Sequence, residues 1–442
     1  MKPVTKTLAA LIALAMGALP ALSAAPSAKP NIIFILADDL GLGDIATTGG
    51  DNYKTPHIDA LAKGGTLYSN AYALPLCGPS RVSILTGRYP FRTGGTNQDA
   101  CARFTPAQET MTPKVLKSAG YVSSMIGKWG QLPLTPDAFG FDDYLEYTGS
   151  GIFWNTQKKG KDYLLNGVTT PLLDKQYMPD VMHDHLVDFI SKNRDKPFYV
   201  YYSLSHVHTE ILPTPDSTPG STTLYADNVA YMDKLVGKLV AELERLKLRE
   251  NTLVVFYGDN GSTEFQAPTS TIGGRALNGA KGSMLEGGSH VPLIVNWPGV
   301  TPAGKVLTDL IEATDFFSTF AELAGAEPSA NTILDSRSFS AQIRGEKGTP
   351  RDWIYVQLAR MWYVLEPGWK LNHLGELYDL SDAPFSEKLV SASTQDAAPI
   401  AARARLQDAL DKLNPAGGIL DDGDGTGRHA SRAKKNAKKD EE

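Results

Sequence analysis

Apolar positions in this chain follow two rhythms, unbroken runs of five or six and amphipathic stretches of ten or more. The first run, Ile32 to Ala37, ends abruptly at Asp38, Asp39 and Gly41. An unbroken run of that length predicts a strand buried on both faces, as in a parallel sheet, with its acids at the carboxyl end. "TPHIDALAKGG" then reads as a helix, with Thr55 as N-cap, Pro56 in the first helical position and Gly64 beyond the end. "TPKVLKSAG" repeats that grammar from Thr112, and "YVSSMIGKWG" and "KPFYVYYSLSH" read as strands. Tyr225 to Leu248 has helical periodicity, and "NTLVVFYGDNG" is a strand closing on Asp259 and Asn260. "HVPLIVNWPG" and "TDFFSTFAELAG" add a strand and a capped helix. This alternation over residues 30–345 predicts an α/β fold, a large, mostly parallel mixed sheet flanked by helices. From 346 to 415 the segments shorten, and a helix from Ala398 to Leu413 follows them. That pattern predicts a C-terminal subdomain, a small antiparallel sheet covered by a helix. Residues 416–442 read as a disordered, charged tail.

Composition changes the picture at the ends. Lys2 and Lys6 precede an apolar run from Leu8 to Leu19, and small residues follow around Ser23 to Ala25. This predicts a secretory signal peptide over residues 1–24, too short to span a bilayer, with no later membrane span. The mature chain is therefore expected in the periplasm or outside the cell. Net charge is −6, yet the leader and the stretch from Arg428 to Glu442 are both basic, so the body between carries about −11. Such an acidic body argues against nucleic acid as a partner. The chain has two cysteines, Cys77 and Cys101, and an oxidising compartment makes a disulfide between them the simplest reading.

Polar residues of unusual type gather where strands end. In open α/β sheets that is where ligands bind. Asp38 and Asp39 end one strand, Lys128 a second, His206 and His208 a third, and Asp259 and Asn260 a fourth. Adjacent carboxylates repel unless a cation neutralises them, and hard oxygen donors suit Ca²⁺ or Mg²⁺. In "CGPSRVSILTG", Pro79 at the first helical position and Gly87 at the end predict a helix. Cys77 would then precede its N-terminus, where N–H groups and the dipole favour an anion, with Arg81 one turn away. That is a poor place for a merely structural thiol, so Cys77 is expected to be unpaired.

The stretch "CGPSRVSILTGR" resembles the signature of type I, formylglycine-dependent sulfatases, members of the alkaline phosphatase-like superfamily. Other segments match in family order: "NIIFILADDLG", "GKW", "HTEILPTPD", "YGDNG", "KGSMLEGGSHVPLIVNWPG" and "WKL…ELYDLSDAP", together covering residues 30 to 390. The resemblance implies an alkaline phosphatase-like fold and hydrolysis of sulfate esters. It implies that a maturation enzyme converts Cys77 to formylglycine, whose hydrated aldehyde is the nucleophile. Asp38, Asp39, Asp259 and Asn260, with residue 77, would hold one Ca²⁺. Arg81, Lys128, His208 and Lys281 would bind the sulfate and the bridging oxygen, and spacing to "PTPD" favours His208 over His206 for that role. These assignments suit the chemistry, which needs positive charge on the sulfate oxygens and a proton for the leaving oxygen.

Two positions depart from the pattern. The family's Gly-Lys-Trp-His reads Gly130 in its last place, with His206 or His290 as substitutes for the absent histidine. His290 also stands where the family commonly has arginine. A secreted enzyme of this kind implies a sulfated sugar as substrate, and Trp154 either stacks on a sugar or packs in a loop. Phosphonate or phosphate monoester hydrolysis, or a silent polysaccharide-binding role, are the alternatives.

Overall fold

Ile32, Phe34 and Leu36 point to one side of their strand, and Ile33 and Ile35 to the other, so a single strand feeds two cores. The computed structural model describes residues 29–130, 132–147, 149–158 and 161–429. The expected signal peptide and the last residues of the expected tail lie outside them.

Ten strands form one sheet, in the order Lys305–Glu312, Thr66–Tyr72, Leu293–Asn296, Thr252–Gly258, Asn31–Ala37, Phe198–Ser203, Val122–Lys128, Asp143–Tyr147, Asp162–Leu165 and Val168–Pro171. Asn31–Ala37 pairs in parallel with Phe198–Ser203 and Thr252–Gly258, while Leu293–Asn296 runs antiparallel to its neighbours. One face is covered by Pro56–Lys63, Met178–Lys192 and Leu224–Arg245. The other is covered by Cys77–Thr86, Thr112–Ser118 and Asp315–Ala324, with Phe34 packed on Phe316 and Phe320. The mixed, mostly parallel sheet is the one expected from the runs.

A second, five-stranded antiparallel sheet spans Ile354–Leu358 to Lys388–Leu389. Leu406 and Leu410 of helix Ala397–Leu413 pack on one of its faces, against Val364, Leu371 and Leu377. Ile354, Val356 and Leu365 on the other face meet Tyr72 and Leu310 of the large sheet. The two sheets therefore share a core.

Beyond that helix the chain departs from a solvated tail. Residues 418–429 form a strap across the loop after Phe91. Ile419 donates its N–H to Phe91 at 2.7 Å, and buried Asp421 accepts from Thr96 at 3.0 Å and from Asn97. Gly427 accepts from the Gln98 N–H at 2.9 Å. The strap stays in place because its one buried carboxylate is fully engaged. Composition read the whole segment as solvated because most of its charge falls after Arg428.

Candidate active site

Strand pairing brings the carboxyl ends of four neighbouring strands to one edge. Backbone bonds lock the loops that follow them: Asp259 N donates to Ala37 O at 2.9 Å, Asp38 N to His206 O at 2.8 Å and Val207 N to Asp38 O at 2.6 Å. Asp38, Asp39, Asp259 and Asn260 emerge together from this edge, each 0–1% exposed. Burial of several acids at one place needs compensation. Three cations supply it. The Lys128 ammonium donates to Asp38 at 2.7 and 2.8 Å. The Arg81 guanidinium binds Asp259 through Nη2 at 2.7 Å and Nε at 3.2 Å. Lys281 donates to Asp39 Oδ1.

These pairings set the ionisation of the cluster. Burial opposes charge on Asp39, but Lys281, His208 and Lys128 outweigh it and hold its carboxyl below the usual range. Burial and the nearby Asp38 push Asp259 up, against the pull of Arg81. Lys128 and Lys281 are held more basic than usual, because Asp38 and Asp39 respectively outweigh their burial.

The donor set fits a hard divalent cation. Asp39 Oδ2 and Asn260 Oδ1 are buried and have no hydrogen-bond partner among the described residues. Ligand atoms of Asp38, Cys77 and Asp259 lie within 4.8 Å of one another, as do those of Asp38, Asp39 and His208. Oxygen-rich groups of this kind match Ca²⁺ or Mg²⁺ better than a soft metal.

Cys77 opens a helix, Cys77–Thr86, whose ten residues are all buried. It occupies the first helical position, with Leu76 as N-cap, where the sequence placed it just before the helix and gave that position to Pro79. Pro79 fits within the first turn because N–H groups there lack intrahelical partners. Both cysteines are free thiols. Burial, and then the neighbouring Cys77, push the Cys101 thiol well up, which makes Cys101 an inert core residue. Arg81 lies one turn after Cys77, and its Nη1 is fixed by Lys128 O at 3.1 Å and by the Ser203 hydroxyl.

The two histidines after the third strand part company. His208 faces the pocket, with Nε2 3.7 Å from Asp39 Oδ2, and burial drives its pKa down to about 4. His206 is fully buried among Phe153, Tyr177 and Tyr231, with Nε2 3.0 Å from the Tyr177 hydroxyl, and burial lowers it to about 3. His290 stacks on Tyr72 and bonds Glu286 and Ser69 O at 2.8 and 2.7 Å. Trp154 packs on Tyr177 and donates to Pro213 O at 2.8 Å, so of its two readings the structure gives the packed loop.

Sequence reasoning missed Gln98. Its Nε2 lies 3.0 Å from Cys77 Sγ while its Oε1 accepts from the Gly78 N–H at 3.0 Å. Neither His206 nor His290 takes that place. Gly130 is left-handed (φ 87°), and a Cβ there would come within 2.8 Å of Arg81 Cδ. No pattern marks Gln98, because the helix it opens, Gln98–Cys101 with Asn97 as N-cap, is only four residues long and too short to show a period in "GGTNQDAC".

The opening above this cluster is a small pocket lined by Asp39, His208, Lys281, Thr263, Phe265 and Arg428. A wider groove, between Pro56–Lys63 and Leu224–Arg245, holds none of these groups.

Residues 30–326 match the family described as Sulfatase. The chain is 32% identical to N-acetylgalactosamine-6-sulfatase of Canis lupus familiaris over 357 residues, covering 74% of this chain and 68% of that protein. It is 30% identical to steryl-sulfatase of Rattus norvegicus over 427 residues, covering 76% and 74%. Among solved structures it resembles Ps i-CgsB, at 30% identity and a TM-score of 0.73, covering 88% of this chain and 92% of that one. A phosphonate monoester hydrolase of Agrobacterium radiobacter, 18% identical with a TM-score of 0.64, shares the fold, covering 87% and 95%. With an ordered set of acids, cations and a helix-borne cysteine at the strand ends, the chain belongs to the sulfatase family and is a sulfuric ester hydrolase.

Proposed function

We propose that the protein is exported and removes sulfate from a sulfated carbohydrate, with formylglycine made from Cys77 and one Ca²⁺. The observation that carries this reading is the convergence of Cys77, three cations and the under-satisfied Asp39 and Asn260 oxygens at one strand edge. A related protein, Ps i-CgsB, has been solved in complex with k-i-k-neocarrahexaose, which supports a saccharide as the substrate class.

Asp38, Asp39, Asp259 and Asn260, together with residue 77, would hold the cation, which supplies positive charge where sulfate oxygens gather. Formylglycine at 77 supplies a hydrated aldehyde as the nucleophile. Arg81, already anchored by Asp259 and Ser203, keeps residue 77 and the sulfate in a fixed relation. Lys128 and Lys281 carry charge that complements the sulfate as negative charge builds on its oxygens. His208 stands at the pocket surface beside Asp39, where the negative charge of a bound sulfate offsets its burial and favours the imidazolium, and that form gives its proton to the leaving sugar oxygen, with Lys281 beside it. Gln98 holds the side chain of residue 77 in place of the histidine absent at Gly130.

Two measurements test this. Peptide mass spectrometry of protein produced with the maturation enzyme should find an aldehyde at position 77, and a Cys77–Cys101 crosslink in active protein would overturn the assignment. A panel of sulfated mono- and oligosaccharides should then reveal a substrate. Turnover of phosphonate esters in preference to every sulfate ester would defeat the reading.

A further inference from the structure

The strap formed by residues 418–429 ends beside the pocket, and it delivers a cation that the sulfate chemistry does not use. Arg428 lines the opening together with Lys281, His208, Thr263 and Phe265. One guanidinium N–H reaches Lys281 O at 3.3 Å. Among the described residues no carboxylate lies within ion-pair distance of Arg428. The contrast with Arg81, Arg92, Arg351 and Arg405, each held by an acid, is direct. The neighbouring backbone leaves room for the guanidinium, since a Cβ on Gly282 would stand 2.9 Å from Arg428 Nη2. The strap is itself pinned at Phe91, Thr96, Asn97 and Gln98, and His429 pairs with Asp99. Arg428 is therefore a positioned cation with donors to spare at the mouth of an anion site.

Phe265 supplies the other half of the wall. It is 73% exposed, and an aromatic face left open at a pocket mouth suits the apolar face of a pyranose ring. Glu264 shares this wall and is exposed, where it can accept a sugar hydroxyl.

We infer that Arg428 and Phe265 form a sugar subsite that selects a saccharide carrying a second oxyanion, a sulfate or a carboxylate, near the sulfate to be cleaved. A guanidinium fork matches either group in two parallel hydrogen bonds. The inference rests on the carbohydrate reading above and narrows it to polyanionic sugars.

The test uses the full chain with Ca²⁺ in a Cys77→Ala background, so that binding is read without turnover or maturation. Calorimetry compares galactose monosulfates with galactose disulfates and with a sulfated disaccharide bearing a uronate. The disulfates probe a second sulfate, and the uronate probes a carboxylate. At least one doubly charged probe should bind about tenfold tighter than its singly charged counterpart, the gain expected of one charge-assisted pair at a half-exposed site. Arg428→Ala should reduce that preference to within about twofold, and Arg428→Lys should keep part of it. A preference that survives in Arg428→Ala, or no preference in the Arg428 protein, overturns the subsite. Hydrolysis by the matured Cys77 enzyme separates the two claims. Cleaved sugar sulfates with an Arg428-independent preference sink the subsite alone, whereas no cleavage of any sugar sulfate sinks the carbohydrate reading with it.

Discussion

The floor and the wall of the pocket are built from different material. The floor comes from strand ends in the middle of a ten-stranded sheet, and its acids are 0–1% exposed. The wall comes from the 263–265 loop and the C-terminal strap, with Phe265 73% exposed and Arg428 half-buried. A floor group cannot move without disturbing Asn31–Ala37 and its two parallel partners, whereas the wall hangs on a few local hydrogen bonds. Groups that must hold geometry against developing charge belong on the rigid part. Groups that distinguish one sugar from another can sit on loops, where substitution leaves the core intact. Floor substitutions should therefore damage every sulfate ester alike, or divide esters by leaving group. Wall substitutions should divide them by sugar.

The largest expected effect is at residue 77. Cys77→Ala should lower kcat for nitrophenyl and sugar sulfates equally, by about 10⁴-fold or more, as removal of a nucleophile does. Its helix should stay folded, which circular dichroism can confirm. Residual turnover within tenfold of the parent would mean that the floor works without this side chain. His208→Ala comes next. A general acid matters most for a poor leaving group, so the loss should be about 10²–10⁴ on a sugar sulfate and far smaller on nitrophenyl sulfate. His206→Ala opens a hole among Phe153, Tyr177 and Tyr231 and should lower the melting temperature without changing the ratio between the two esters. Equal losses on both esters in His208→Ala would make it a binding residue only.

Removing the cation should be felt in both stability and rate. A ligand at a hundredfold excess over Kd stabilises the folded state by about 2.7 kcal/mol. Chelation should lower the melting temperature and activity together, and Ca²⁺ should restore both. Full activity after exhaustive chelation would leave the unpartnered Asp39 and Asn260 oxygens without that explanation.

The floor was legible in the sequence because regular structure announces itself. The run Ile32–Ala37 followed by two aspartates reads as a buried strand with acids at its mouth, "NTLVVFYGDNG" reads the same way, and the two together carry what either alone carries weakly. What the sequence blurred was local. Cys77 stands inside the first helical turn, since a proline is tolerated anywhere among the N–H groups that lack partners. Gln98 and Arg428 were missed for a different reason. Gln98 opens a helix of only four residues and Arg428 lies on no helix or strand, and their importance arises from contacts across 21 and 147 positions of chain. Arg428 was further masked by the basic stretch it begins, which reads as a solvated tail on composition alone.

Gln98 joins the two regions, because its amide touches Cys77 while its backbone N–H is held by Gly427 of the strap. Gln98→Ala should cost about tenfold in kcat on all esters, the worth of one buried hydrogen bond. The extent of aldehyde formation, measured by mass spectrometry, shows whether the loss lies in maturation or in turnover. A loss confined to sugar substrates would move Gln98 from the floor to the wall.

The smallest expected effect lies in a separate cavity, beside a strand that two others separate from the one leading into Asp38. Glu146 follows Leu145 on the strand paired with Val122–Lys128, and it lines a cavity with Trp129 and Gly130. Burial, and then Asp137, push its carboxyl up to about 7. An ordinary glutamate titrates near 4.3 in an unfolded chain. With the folded pKa the higher of the two, the folded state binds the proton more tightly. The stability linked to that proton is complete below the unfolded pKa and is lost as pH rises through about 7. Glu146→Gln keeps the shape and removes the titration. The variant should match the parent in melting temperature at pH 4 and exceed it at pH 8.5, by about 1–2 °C for one buried group in a chain of this size. Because Glu146 touches neither the acids of the floor nor the rim of the pocket, the ratio of sugar-sulfate to nitrophenyl-sulfate turnover should not move with it. Melting curves that run parallel across this pH range would show that the carboxyl titrates normally, and that the cavity beside Gly130 is wetter than its lining suggests.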